Sequence, residues 1–241
     1  MIRHGILDYV IPTTTVPSTL LTGLRAYYKM DETEGTTTYD STGTYNGEMV
    51  NSPTLNGAGI KLGYTFNISD SERTRIPVAV SSFGTSDFSI ACWFKVPDFL
   101  GAYYIFGNYH SGSVSYIRTY TGTNELIHWH TRWNTSSVYC VTRYTINPET
   151  WYHLVCVADR DGNSSIYLDG SLVQWTASIS AYSAIDQTSS GATYFSIGSG
   201  ASSSGNYWKG EVDEFGLWER LLTQDEIDQL YNSGNGLTYP F

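Results

Sequence analysis

Residues 149–173 read ETWYHLVCVADRDGNSSIYLDGSLV, and this stretch decides the fold class. Residues 151–158 and 165–168 are short runs rich in strand-forming side chains, bounded by Gly, Asn and Asp. Asp169-Gly170 between IYL and SLV has the form of a two-residue hairpin turn, because Gly accepts the positive φ that such turns require. Working outward, the same pattern recurs at 88–96, 114–120, 126–133, 138–144, 194–197 and 211–218. One segment reads as a helix. Thr223-Gln-Asp-Glu226 is a capping box, Ile227, Leu230 and Tyr231 share one face, and Gly234 is placed to close the end. Many strands and one terminal helix predict an all-β, two-sheet antiparallel jelly-roll sandwich, with the helix against its edge.

Composition narrows the function classes. The chain has 241 residues, 41% of them apolar, enough for one sizeable core. Lys and Arg total 13 against 23 acids, a formal charge of −10, which argues against nucleic acid as a partner. No apolar run reaches the roughly 18 residues of a membrane helix, so no membrane partner is expected. Of three cysteines, Cys92 and Cys156 fall inside apolar runs and are expected as buried thiols. Residues 1–22 are punctuated by Thr and Pro and lie outside the strand pattern. They are read as a docking arm for another copy or a particle surface, followed by a domain over 23–241. The first 17 residues lack the form of a signal peptide.

Several motifs together carry a family resemblance. AYYKMDE at 26–32, DSTGTYNGEM at 40–49, DFSIACWFKV at 87–96, the 149–173 stretch, FSIGSG at 195–200 and GEVDEFGLWERLLTQDEIDQLYNSG at 210–234 follow one another in order. This order resembles the laminin-G-like, concanavalin A-like lectin and glucanase jelly rolls. The departures lie in the middle: the double glycine usual before the Phe66 strand is missing, and 69–73 enlarges the following loop. The resemblance implies a structural calcium held by Asp213 with Asp31 and Asn67 on the opening loops. A hard cation of this kind takes oxygen ligands. The other reading of Asp213 is a carboxylate that accepts backbone amides.

Two sets of residues could carry function. Some glycosidases with this sandwich place acids at alternate positions of one strand. In Glu211-Val-Asp213-Glu214 the last acid arrives one residue early, so strand alternation turns Glu214 away from Glu211 and Asp213, and no catalysis is expected. The ligand-binding candidates are Tyr116, Arg118, His128, His130, Arg132 and Arg143. In an antiparallel meander, alternation brings them to one surface. Aromatic rings beside planar guanidinium donors suit an acidic glycan; the same residues also suit a solvated face with cross-strand Tyr–Arg pairs. His128 and His130 have no evident third ligand for zinc. Tyr103, Tyr104, Phe106 and Tyr109 are read as loop aromatics. The expected function is a non-catalytic surface-display or adhesion module on a virion, such as a phage decoration, spike or tail protein, with glycan as its ligand. The alternative is a bacterial, extracellular lectin-like carbohydrate-binding domain, and behind it a glycoside hydrolase or lyase.

Overall fold

The computed structural model describes residues 19–57, 60–67, 69–110, 112–134, 136–188, 191–200 and 207–241. Two antiparallel sheets of eight strands pack face to face. The first runs in the order β14 (Ser171–Ser178), β13 (Asn163–Leu168), β12 (Tyr152–Ala158), β7 (Phe88–Lys95), β16 (Gly210–Trp218), β5 (Tyr64–Phe66) and β4 (Thr54–Leu55), with β1 (Leu24–Tyr28) also paired to β16. The second runs β11 (Ser136–Val141), β10 (Ile127–Trp133), β9 (Tyr116–Thr121), β8 (Tyr103–Gly107), β15 (Tyr194–Ile197), β6 (Arg73–Pro77), β3 (Gly47–Val50) and β2 (Thr37–Thr38). The all-β sandwich expected from the strand pattern is the observed architecture.

Alternation fills the space between the sheets. Phe88, Ile90, Cys92 and Phe94 of β7 and Ile117, Ile127 and Trp129 of the second sheet join one core cluster. Phe106 meets Phe215 edge-on with ring centres 5.3 Å apart, and Phe88 stacks on Phe83 at 4.3 Å. Burying each ring of this size contributes about 1.5–3 kcal/mol. Cys92, Cys140 and Cys156 are buried free thiols, and burial raises the pKa of each.

The hairpin turn is as expected, with Asp169 at φ 50° and Gly170 at φ 78°. The helix α1 (Gln224–Tyr231) begins at the Thr223 capping box: Thr223 Oγ1 accepts from the Glu226 amide, and Glu226 Oε2 accepts from the Thr223 amide. Its left-handed cap is Asn232 at φ 47°, two residues before the glycine expected to close it. The helix covers the outer face of the first sheet, not its edge. Ile227 and Leu230 pack with Tyr27, Ala91, Val155, Val157 and Trp218 in a second apolar cluster. The reason lies in β7 and β12, whose outward Ala91, Val155 and Val157 are apolar and require a cover. Leu20 belongs to that cluster, and its carbonyl accepts from Trp218 Nε1 at 2.7 Å. The packed chain therefore includes Thr19–Leu21, within the 1–22 segment expected as an arm; residues 1–18 lie outside the described residues.

Candidate functional site

Consecutive strands β9, β10 and β11 form a meander, and its register sets the expected side chains opposite one another. His130 faces Arg118 on one side and Tyr139 on the other; Arg132 faces Tyr116, and His128 faces Tyr120. Their rings pack closely: His128 on Tyr120 at 4.5 Å and 8°, and His130 on Tyr139 at 3.9 Å. Arg118 lies at the centre. Its guanidinium sits 5.4 Å from the Tyr104 ring centre, 5.3 Å from Tyr109, 5.3 Å from Tyr116 and 5.9 Å from Tyr120. Arg132 lies 5.8 Å from Tyr116.

One hydrogen bond fixes the protonation of this face. Arg118 Nε donates to His130 Nδ1 at 3.1 Å, so Nδ1 is an acceptor and the neutral ring carries its proton on Nε2, 3.4 Å from Tyr116 Oη. Burial, and then the Arg118 and Arg132 charges, hold the His130 pKa down to about 3. Burial also lowers that of His128. The positive charge at neutral pH therefore resides on arginine. Arg118 has no carboxylate partner among the described residues, and neither does Arg132.

Tyr116, Arg118, His128, His130 and Arg132 are thus brought together, and Arg143 is not. It follows the end of β11, is exposed, and lies 5.9 Å over the ring of Trp175 on β14. Residues 103–107, read from sequence as part of a loop, form β8. Tyr103 and Phe106 are buried, while Tyr104 and Tyr109 wall the Arg118 site. The near-alternation in YYIFGNY was the available signal. Gly107 is needed here: a Cβ at that position would stand 2.7 Å from Arg118 Cβ and 2.6 Å from the Gly200 carbonyl oxygen.

A family model described as the concanavalin A-like lectin/glucanases superfamily matches residues 69–228, more than half of the chain. The chain belongs to that superfamily. Among solved structures, this lectin-like sandwich resembles a domain of an extracellular arabinanase from Geobacillus stearothermophilus in complex with arabinotriose. The TM-score is 0.63 at 19% identity, covering 89% of this chain and 98% of that one. It resembles Trypanosoma rangeli sialidase at TM-score 0.63 and 18% identity, covering 90% of this chain and 34% of the sialidase. The binding domain of Paraclostridial Mosquitocidal Protein 1 gives 0.63 at 17% identity, covering 88% and 52%. The chain thus spans about a third of the sialidase and half of that binding domain. No curated protein sequence matches it.

In this superfamily member the acids of β16 depart from the expected alternation. A β-bulge lies between Asp213 and Gly216, and Glu214 takes φ 48°. The bulge turns Glu214 to the outer face beside Asp213, toward Tyr27 and Thr238, correcting the expectation that it points away. Both acids are buried nonetheless. Asp213 Oδ2 accepts from the amides of Lys61 and Leu62, and Oδ1 accepts from the Glu214 amide at 2.9 Å. Burial, then the Glu214 charge, raises Asp213 to about 8, and burial raises Glu214 to about 7. Asp213 thus anchors the loop at Lys61 and Leu62, while Glu214 Oε2 is buried without a hydrogen-bond partner among the described residues.

The donor set nominated for calcium does not converge. Val212 pairs with Tyr64 and Gly210 with Phe66, so Asn67 lies beyond the far end of β5 from Asp213, where its side chain contacts Ser69 and Asp70. Asp31 pairs with Lys29 and acts on Glu214. Among the described residues there is no group of three His, Cys, Asp or Glu that could hold a metal, and so no third such ligand beside His128 and His130. A cleft of about 460 Å³ opens beside Thr65, Lys95, Lys209 and Glu211. Its cations are already paired, Lys95 with Glu211 at 2.6 Å and Lys209 with Asp98. No described helix is long and apolar enough to cross a membrane.

Proposed function

We propose that the protein is a non-catalytic carbohydrate-binding module of the extracellular or cell-surface kind, and that it binds acidic glycans on the outer face of β8–β11. One observation carries this reading: Arg118 stands among four tyrosine rings on the outer sheet face with no carboxylate partner among the described residues. Tyrosine rings supply the flat apolar contact for sugar C–H groups, and the guanidinium supplies the paired N–H donors that fit a carboxylate. The similar structures in complex with arabinotriose and with sialic acid favour this lectin-like module over a virion display protein, for which nothing beyond the sequence speaks. The sealed carboxylates of β16 speak against glycan cleavage at that strand.

The test is calorimetric titration of the full chain with galacturonic acid, its methyl ester and arabinotriose. Binding of the free acid, at least tenfold weaker for the ester and for Arg118→Gln, is the expected result, since a charge-assisted hydrogen bond contributes about 1.5–3 kcal/mol. Equal binding of acid and ester, or an unaffected R118Q, would overturn the reading.

A further inference from the structure

The same outer face carries a second pair of arginines, on β6. Arg73 and Arg75 lie two residues apart on β6 and project to one side of it. Arg73 packs 5.4 Å over Tyr207, and Arg75 packs 5.1 Å over Tyr194. The Nε of each is buried without a hydrogen-bond partner, and Arg73 as a whole is only 6% exposed. A buried donor left unmade is costly.

The other arginines differ at their terminal nitrogens, not at Nε, since Arg160 Nε is likewise buried without a hydrogen-bond partner among the described residues. Arg160 donates to the carbonyls of Gly84, Tyr182, Ser183 and Ile185. Arg220 donates to Thr19, Thr22 and Leu221 and pairs with Glu226 at 2.7 Å. Arg25 donates to Ala79, Ser82 and Glu219. Arg73, in contrast, gives one bond to the Ser71 carbonyl, and Arg75 makes none among the described residues. Glu48 faces Arg75 across the β3–β6 pair but forms no ion pair with it. The Arg75 charge also lowers the Arg73 pKa, after burial. Glu48 acts on Arg73 in the opposite sense but makes no ion pair with either arginine among the described residues.

Register relates this pair to the Arg118 site. Arg75 faces Ser196, Ser196 faces Gly107, and Gly107 faces Arg118. Three strand spacings separate the two cations, about 14 Å across the sheet. The Gly200 carbonyl lies over Gly107, so the arginines flank it on either side. We propose that Arg73 and Arg75 form a second anion subsite. It takes the carboxylate or sulfate of an acidic polysaccharide that places another acidic sugar on Arg118. The polymer part of this inference rests on the glycan reading above; the anion subsite itself does not.

Two measurements separate them. In the first, inorganic sulfate is titrated into the arginine-labelled full chain while the Nε–Hε resonances are followed by NMR. Saturable shifts of Arg73 and Arg75, lost in Arg75→Gln, are expected; shifts confined to Arg118 would overturn the subsite. In the second, R75Q is titrated with galacturonic acid, polygalacturonate and dextran sulfate. The monomer should bind as to the unaltered protein, and one or both polymers about tenfold more weakly. Which polymer responds assigns the group as carboxylate or sulfate. Unchanged affinity for both polymers would overturn the proposal while leaving the Arg118 site standing. Sulfate shifts at Arg73 and Arg75 without binding of any acidic sugar would uphold the subsite and remove the glycan reading. Arg75→Lys, which keeps the charge, serves if R75Q lowers the Tm, and should give an intermediate loss of polymer binding; full polymer affinity in R75K as well as in R75Q would count against the proposal.

Discussion

The outer faces of the two sheets differ in how they dispose of charge. The strands of the first sheet bear Arg25 and Lys95 against Glu211, Asp213 and Glu214, and α1 covers much of their outer side. There Lys95 pairs with Glu211, Arg25 with Glu219, and Asp213 takes three amides. The strands of the second sheet bear Arg73, Arg75, Arg118 and Arg132 against Glu48 alone, in a chain of net charge −10. None of these four arginines has a carboxylate partner among the described residues. A face whose cations are paired internally serves the fold, even where Glu214 Oε2 and His153 Nδ1 stay buried without a hydrogen-bond partner among the described residues. A face that concentrates unspent donors, against the net charge of its own chain, is built for something from outside.

The largest expected effect contrasts one ring from each face. Trp218 is fully buried beneath α1, and Trp218→Ala should cost about 3–5 kcal/mol in chemical denaturation. Tyr139 is 51% exposed, and Tyr139→Ala should cost no more than the about 0.5–1.5 kcal/mol of its stacking on His130. A severe Y139A with a mild W218A would invert the comparison.

A smaller effect comes from pH. Asp213 and Glu214 have folded-state pKa values raised above the ordinary range, so between the two the native state holds protons that the unfolded chain has lost. Their contribution to stability therefore declines as pH rises toward about 8. The lowered His130 and His153 act in the opposite sense, costing stability only as pH falls below the ordinary histidine value of about 6.5. The window from about pH 6.5 to 8 isolates the acids. There the Tm should fall with rising pH, and Asp213→Asn should flatten the slope; a flat profile in the unaltered protein would show that the β16 acids are not held protonated. The smallest effect concerns metal. Because Asp213, Asp31 and Asn67 do not converge, excess chelator should leave the Tm in place. A drop that D213A removes would mean that a cation draws these loops together.

Much of this could be read along the chain because it is local. The 149–173 stretch gave β12, β13 and the turn at Asp169-Gly170 from residue period and a single glycine. Thr223 and Glu226 marked the helix start from three-residue spacing. The Arg118 face was also legible, since β9, β10 and β11 are consecutive and a meander pairs neighbours. Glu214 was misread because a one-residue bulge reverses the face of every subsequent position, and no period announces it. Arg143 was misplaced because β11 ends at Val141, before alternation reaches it.

The sequence by itself determined the strands, the turn, the helix cap and the meander, because each depends on residues within a few positions of one another. Tertiary structure decided which outward faces are covered and which charges meet. Arg75 pairs with β3 and β15, from Glu48 on one side and Ser196 on the other, and Leu20 reaches Trp218 across almost the whole chain. Such contacts follow from long-range packing of sheets, where a strand's own pattern shows that it has two faces and only its distant neighbours settle what each face touches.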